Sequence, residues 1–224
     1  MAGSLKPSSS VAAVLPRLYV VCDADVCAQH GWSIPDFVAA CCDGGATLSQ
    51  LRAKHLGSRA FLAAADAVVA LTSTYGATII VNDRADLARL SGAHGVHVGQ
   101  DDLMPAHVRM VVGAESVVGV STHTVAQIDA ACLEPVDYVA IGPVFGTRTK
   151  DTGYDAVGLD LVREAATRAS AAQRPVVAIG GITLDRAADV IAAGAASVAV
   201  ITDILVDGDP RARVHAFLDR LSRV

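Results

Sequence analysis

ATIIVNDRADLARLSGAHGVHVGQDD, residues 77–102, contains two short β-type runs, 78–81 and 95–98, joined by a helix-compatible segment at 84–90. Each run ends in acid: Asn82-Asp83 closes the first and Asp101-Asp102 closes the second. If the runs are neighbouring parallel strands, the crossover helix returns the chain to the start of the second, and both carboxyl ends share one rim. Asp83 and Asp102 then meet at one mouth. Like charges held together oppose each other's ionisation unless a cation sits between them. Hard oxygen donors with few other ligands point to Mg2+, which keeps several waters and binds through one or two carboxylates plus substrate phosphates. Taken alone, Asp83 fits equally well as a helix N-cap and Asp102 as the start of a turn.

The same unit recurs outward from this stretch. Strand-type runs fall at 18–22, 47–53, 78–81, 95–98, 117–120, 138–142, 176–179 and 198–201, and helical segments at 59–74, 84–90, 106–112, 125–132, 159–172, 184–193 and 211–222. Strands alternating with helices imply a parallel sheet, and eight repeats favour an α/β fold closed into a single (β/α)8 TIM barrel. An open doubly wound sheet is the alternative, but no G-x-G-x-x-G follows the first strand. We assign residues 16–224 to the barrel domain and residues 1–15 to a flexible N-terminal tail. The 52% hydrophobic content is rich in Ala, Val and Ile with only 4% aromatics, as expected where helices pack closely on buried parallel strands.

Composition narrows the partners. A net charge of −5 gives no general attraction to nucleic acid or an anionic membrane. No stretch reaches the roughly 18 consecutive apolar residues of a membrane span. The five cysteines, Cys22, Cys27, Cys41, Cys42 and Cys132, show no C-x-x-C spacing, which suits free thiols in a reducing cytoplasm. An Ala/Val-rich outer helix surface would permit a homo-oligomer.

In a TIM barrel the active site lies at the carboxyl ends of the strands. The polar residues there include Gln50, Arg52, Lys54, Asn82, Asp83, Asp102, Ser121, His123, Thr147, Thr149, Lys150, Gly180, Gly181 and Thr202. Gln50, Arg52 and Lys54 alternate along one strand and are expected on one face. Two unpaired cations inside a barrel would be costly, so the set makes sense facing an anion. The link at 142–158, GPVFGTRTKDTGYDAVG, is long enough to be a lid carrying Lys150 over a polyphosphate, or simply an insertion. IGGIT at 179–183 and AVITD at 199–203 run from strands into helix starts, where backbone N–H groups bind phosphate. His97 reads as a satisfied barrel residue, and His123 as a rim residue able to hydrogen-bond a ligand. The absence of H-E-x-x-H, G-x-S-x-G and a Walker A loop removes the usual support for hydrolase and nucleotide-triphosphatase readings.

Together, QLRAK at 50–54, VNDRADLA at 81–88, GVHVGQDDL at 95–103, GVSTHT at 119–124, GPVFGTRTK at 142–150 and VVAIGGIT at 176–183 resemble the thiamine phosphate synthase family. The resemblance implies a transferase joining hydroxymethylpyrimidine diphosphate to a thiazole phosphate with release of pyrophosphate. It makes Asp83 and Asp102 the Mg2+ ligands, and gives Gln50, Arg52, Lys54 and Asn82 to the pyrimidine diphosphate. Ser121 and Lys150 become catalytic contacts to the departing pyrophosphate. Thr147 and Thr149 stand near the thiazole phosphate, whose cup is completed by Gly181, Ile201 and Thr202. Two rivals are a related thiazole tautomerase, which needs neither both carboxylates nor the full cationic set, and a barrel that binds these precursors without turnover.

Overall fold

In the computed structural model, which describes residues 15–146 and 154–224, eight parallel strands pair in chain order and the last closes onto the first. They are β1 (Leu18–Asp23), β2 (Leu48–Arg52), β3 (Thr78–Asn82), β4 (Gly95–Val98), β5 (Val117–Thr122), β6 (Tyr138–Ile141), β7 (Val176–Ile179) and β8 (Ser197–Val200). The expected (β/α)8 barrel is therefore the observed one. Thr147, Thr149, Lys150 and residues 1–14 of the expected tail lie outside the described residues. Leu15 packs, partly buried, against the inner face of the barrel.

The helices are α1 (Ala24–Gln29), α2 (Ile34–Asp43), α3 (Ser58–Tyr75), α4 (Ala85–Ser91), α5 (Pro105–Val112), α6 (Val125–Leu133), α7 (Gly158–Ala171), α8 (Leu184–Ala192) and α9 (Pro210–Leu221). A 3-10 turn, Thr202–Leu205, separates β8 from α9. The first crossover holds two short helices, α1 and α2, in a region where the sequence reading delimits none. Local capping accounts for both. The Asp23 carboxylate accepts the Asp25 and Val26 N–H groups at the start of α1, and Ser33 caps α2 with a proline behind it.

Period-two alternation divides the strands between two cores. Leu18, Val20, Cys22, Leu51, Ile79, Val81, Val96 and Val98 face the helices and belong to the large shell. Tyr19, Val21, Leu48, Ile80, Val117, Tyr138, Ala140, Val177 and Ala199 fill the barrel interior. Each Val or Ile buried in this way contributes about 1.5–3 kcal/mol of transfer free energy. At the amino-terminal end of β5 and β6, Asp137 accepts the Val118 N–H at 2.7 Å and pairs with Arg109 at 2.8 Å. That pairing braces the end of the barrel opposite the site.

Candidate active site

A cavity of about 580 Å³ opens at the carboxyl ends of the strands, within the range of small-molecule sites. Tyr19, Gln50, Arg52, Asn82, His97, Ser121, His123, Tyr138, Gly180, Gly181, Ile201 and Thr202 line it. The expected site residues among these therefore share one chamber. Lys54, Asp83 and Asp102 stand outside the lining, on the rim that follows β2, β3 and β4.

The acid pair forms as the parallel topology requires. β3 pairs with β4 through Ile80↔Gly95, Val81↔Val96 and Asn82↔His97, which brings the two following turns together. The carboxyl groups of Asp83 and Asp102 lie close enough to act on each other's charge. Burial pushes the Asp83 carboxyl above its usual range. The Asp102 charge pushes it further, while Lys54 opposes them. Asp102 is steered by the Gly99 N–H, which donates to Oδ2 at 2.7 Å. Asp83 sits in the left-handed region at φ +63°, a conformation that Asp tolerates better than most residues at a cost of about 1 kcal/mol. It does not cap the helix: α4 begins after Arg84 and has no side-chain cap. The capping alternative fails, and two carboxylates are left facing each other on one rim. Their hard, doubly negative oxygen set fits a Mg2+-sized divalent cation, which would relieve their repulsion.

The cations are arranged differently from the expectation that Gln50, Arg52 and Lys54 share one face turned to an anion. Alternation holds for Gln50 and Arg52, but β2 ends at Arg52 and Lys54 lies in the turn beyond. Lys54 is half-exposed and its Nζ reaches Asp83 Oδ2 at 3.3 Å. Arg52 is paired with buried Asp23. The desolvation cost of the two cations is thus met by protein carboxylates on neighbouring elements. Asp23 also holds the start of α1, so one side chain fixes both a helix terminus and a cavity-lining guanidinium.

Beneath the opening runs a buried polar chain. The Gln50 amide donates to the Tyr19 hydroxyl at 2.9 Å, and the Tyr19 and Tyr138 hydroxyls are 3.2 Å apart. Tyr138 Oη lies 2.9 Å from His97 Nδ1, and His97 Nε2 lies 2.9 Å from Ser121 Oγ. His97 is a satisfied barrel residue, as its position within a strand suggested. It also lines the cavity. Gly119 makes room for the Tyr138 ring, since a Cβ there would fall 2.0 Å from Cζ. His123 lines the same chamber: its Nδ1–H donates to the Gly142 carbonyl at 2.5 Å and its ring stacks on Tyr154. Gln100 donates to the Ser121 carbonyl at 2.6 Å, tying the turn after β4 to β5.

Across the chamber, the β7 and β8 ends present main chain. Gly180 and Gly181 adopt φ +103° and +60°. A Cβ at Gly181 would fall 2.7 Å from the Gly146 carbonyl oxygen, so the turn requires glycine. Leu184 N–H is taken by Asp203, itself paired with Arg213. Arg186, on the first turn of α8, lines this side and stacks its guanidinium 4.7 Å from the Phe145 ring centre.

Sequence reading did not select Tyr19, Tyr138, Asp23 or Arg186. The two tyrosines lie in strand interiors and look like ordinary core aromatics. Asp23, by contrast, is an acid closing a strand, the same signal that exposed Asp83, and Arg186 follows the IGGIT turn.

Residues 18–204 match the family model described as thiamine monophosphate synthase. The chain is 46% identical over 210 residues to the thiamine-phosphate synthase of Koribacter versatilis, covering 92% of this chain and 96% of that protein. It is 40% identical over 202 residues to that of Roseiflexus castenholzii, covering 90% and 86%. Among solved structures, thiamine phosphate pyrophosphorylase from Pyrococcus furiosus superposes with a TM-score of 0.83 at 27% identity, covering 92% of this chain and 96% of that one.

Proposed function

This chain belongs to the thiamine monophosphate synthase family and is a transferase, and we propose from that premise that it joins 4-amino-2-methyl-5-hydroxymethylpyrimidine diphosphate to 4-methyl-5-(2-phosphooxyethyl)thiazole with Mg2+ assistance. The observation that carries the Mg2+ assignment is the Asp83–Asp102 pair, two mutually influencing carboxyls on one rim with the Lys54 ammonium 3.3 Å from Asp83. Asp83 and Asp102 would hold the ion, which supplies charge neutralisation to a leaving diphosphate.

The chain's own residues then divide the work. Gln50, Arg52, Lys54 and Asn82 bind the pyrimidine diphosphate, with Asp23 and Asp83 orienting the two cations. Ser121 and Lys150 contact the departing pyrophosphate. The carbon–oxygen bond to the pyrimidine methylene breaks first and its electron pair leaves with pyrophosphate. The thiazole nitrogen lone pair then forms the new carbon–nitrogen bond. That nitrogen carries no proton, so the step releases none and needs no protein base. Donors aimed at the growing charge on the leaving oxygens are the largest protein contribution to such a step.

Gly180, Gly181, Ile201 and Thr202 form the cup for the thiazole phosphate, to whose binding the family resemblance adds Thr147 and Thr149. Arg186 adds a cation to this cup. Main-chain N–H groups at a glycine turn and helix start suit a phosphate monoester, whereas the side-chain half suits a diphosphate with metal.

The decisive assay supplies both substrates and Mg2+ to the full chain and measures thiamine phosphate, with a chelator control. Product should form only with metal. Product formation without metal would refute the Mg2+ assignment, and thiazole isomerisation without condensation would replace the synthase reading with a tautomerase. We also expect Arg52→Ala to raise KM for the pyrimidine diphosphate by about tenfold, consistent with loss of a charge-assisted contact, and to leave KM for the thiazole phosphate nearly unchanged. The reverse pattern would undo the two-sided map.

A further inference from the structure

The buried chain under the cavity has a direction. Five groups, Gln50, Tyr19, Tyr138, His97 and Ser121, are linked by four contacts of 2.9, 3.2, 2.9 and 2.9 Å. All five residues are buried. The Gln50 amide nitrogen can only donate, so Tyr19 accepts from it and has its own proton left for Tyr138. Tyr138, having accepted, donates to His97 Nδ1. A neutral imidazole carries one ring proton, so accepting at Nδ1 places that proton on Nε2, which donates to Ser121 Oγ. Ser121 thereby receives a hydrogen bond and keeps its own proton for the cavity.

The opposite direction does not close. Were Ser121 to donate to His97, and His97 to Tyr138, the Tyr138 proton would go to Tyr19. The Tyr19 proton would then face the Gln50 amide nitrogen, which is not an acceptor. A buried donor without a partner costs about 1–3 kcal/mol, enough to select the first arrangement.

We propose that Tyr19 and Tyr138, acting through His97, are positioning residues that hold Ser121 as a hydrogen-bond donor toward the oxygens of the departing pyrophosphate. The proposal rests on the synthase reading for the identity of the anion, but the hydroxyl direction follows from the Gln50 amide, whose nitrogen is the end set against Tyr19. A serine with no such support rotates freely and has to be ordered as charge develops. A serine already receiving a bond from Nε2 presents its proton before the reaction begins, which is the preorganisation that favours a charged transition state.

The rings themselves are fixed independently of the hydroxyls. Tyr19 and Tyr138 meet edge to face at 6.2 Å, and His97 stacks on Tyr138 at 5.5 Å and 16°. Phenylalanine at either position keeps this packing while cutting the chain.

The test is a double-mutant cycle on the full-length protein. Tyr138→Phe and Tyr19→Phe are each made in the wild type and in Ser121→Ala. Two quantities are read: kcat for thiamine phosphate formation, and the dissociation constant of inorganic pyrophosphate with Mg2+ by calorimetry. We expect Tyr138→Phe to lower kcat about tenfold and weaken pyrophosphate about fivefold, with Tyr19→Phe smaller in both, and neither to change by more than about twofold once Ser121 is alanine, because partners in one network are not additive. KM for the thiazole phosphate should not move. Equal losses in both backgrounds would mean that the tyrosines act only on the fold, and would overturn the proposal, as would wild-type kcat and pyrophosphate affinity in Tyr138→Phe. A wild type that binds pyrophosphate with the expected coupling but forms no thiamine phosphate would overturn the synthase reading and leave the hydroxyl direction standing.

Discussion

The two sides of the cavity are made from different materials. From β1 to β5 the lining and rim consist of side chains held by other side chains: Arg52 by Asp23, Lys54 by Asp83, and Ser121 by His97. From β7 to β8 the surface is main chain turned by Gly180 and Gly181, with Arg186 laid along Phe145. In the first, charge has been concentrated and then balanced by neighbours, so shape-preserving substitutions should alter chemistry while the barrel stands. In the second, the backbone path is the proposed binding surface, and adding a single carbon alters the fold and that surface together.

The largest expected effect falls on the side-chain side. Asp83→Asn keeps the shape and the tolerance for positive φ but removes one of the two proposed Mg2+ ligands, and we expect a loss of about 10²–10³-fold in kcat/KM, comparable to removing a main electrostatic stabiliser. Measured against Mg2+ concentration, the variant should need far more metal. An unchanged rate and metal dependence would break the comparison at its strongest point.

Next in size is Gly181→Ala. Its Cβ would lie 2.7 Å from the Gly146 oxygen and 2.9 Å from Phe145 Cβ, at a φ that L-residues rarely adopt. We expect KM for the thiazole phosphate to rise about tenfold and the melting temperature to fall by a few degrees, since alanine at positive φ costs about 1 kcal/mol or more. A variant with either change alone would show that backbone path and phosphate cup are separable.

The smallest effect separates stability from function on the side-chain side. Because the Asp83 pKa is raised in the folded state, its ionised form disfavours folding. The stability difference is absent below the unfolded carboxyl pKa, grows as pH rises toward the folded value, and persists above it. In metal-free protein at neutral pH, Asp83→Asn should therefore melt about 1–3 °C higher than the wild type, and the difference should vanish near pH 3. A lower melting temperature at neutral pH would show that Asp83 stabilises the fold and carries no stored repulsion.

The fold was legible because short apolar, β-branched runs, repeated eight times with helical spacers, leave few alternatives to a closed parallel barrel. The acid pair was legible because Asp83 directly follows β3 and Asp102 lies in the short turn after the neighbouring β4. What sequence obscured was partnership. Arg52 and Lys54 read as facing a ligand anion and not protein carboxylates, because Asp23 is 29 residues from Arg52 in the chain and Lys54 lies in a turn that alternation cannot orient. The chain from Gln50 to Ser121 was hidden further still, since a link such as Tyr19 to Tyr138 spans 119 residues and tyrosines in strands resemble ordinary core residues. Helices α1 and α2 escaped delimitation because their starts depend on single caps at Asp23 and Ser33 and not on a long apolar stripe.

The join between β8 and β1, through Leu18↔Val198, Tyr19↔Ala199 and Val20↔Val200, has a consequence for solubility. Segments such as VVAIGG and SVAVIT carry the β-rich, uncharged character that templates cross-β assembly when a strand's hydrogen-bonding groups are free. In a ring of strands every such group already has a neighbour, so the native barrel offers no open edge for another molecule to extend. The hazard is confined to chains that have not yet closed the ring, and a variant that loosens this seam should aggregate during synthesis or refolding before it loses activity once folded.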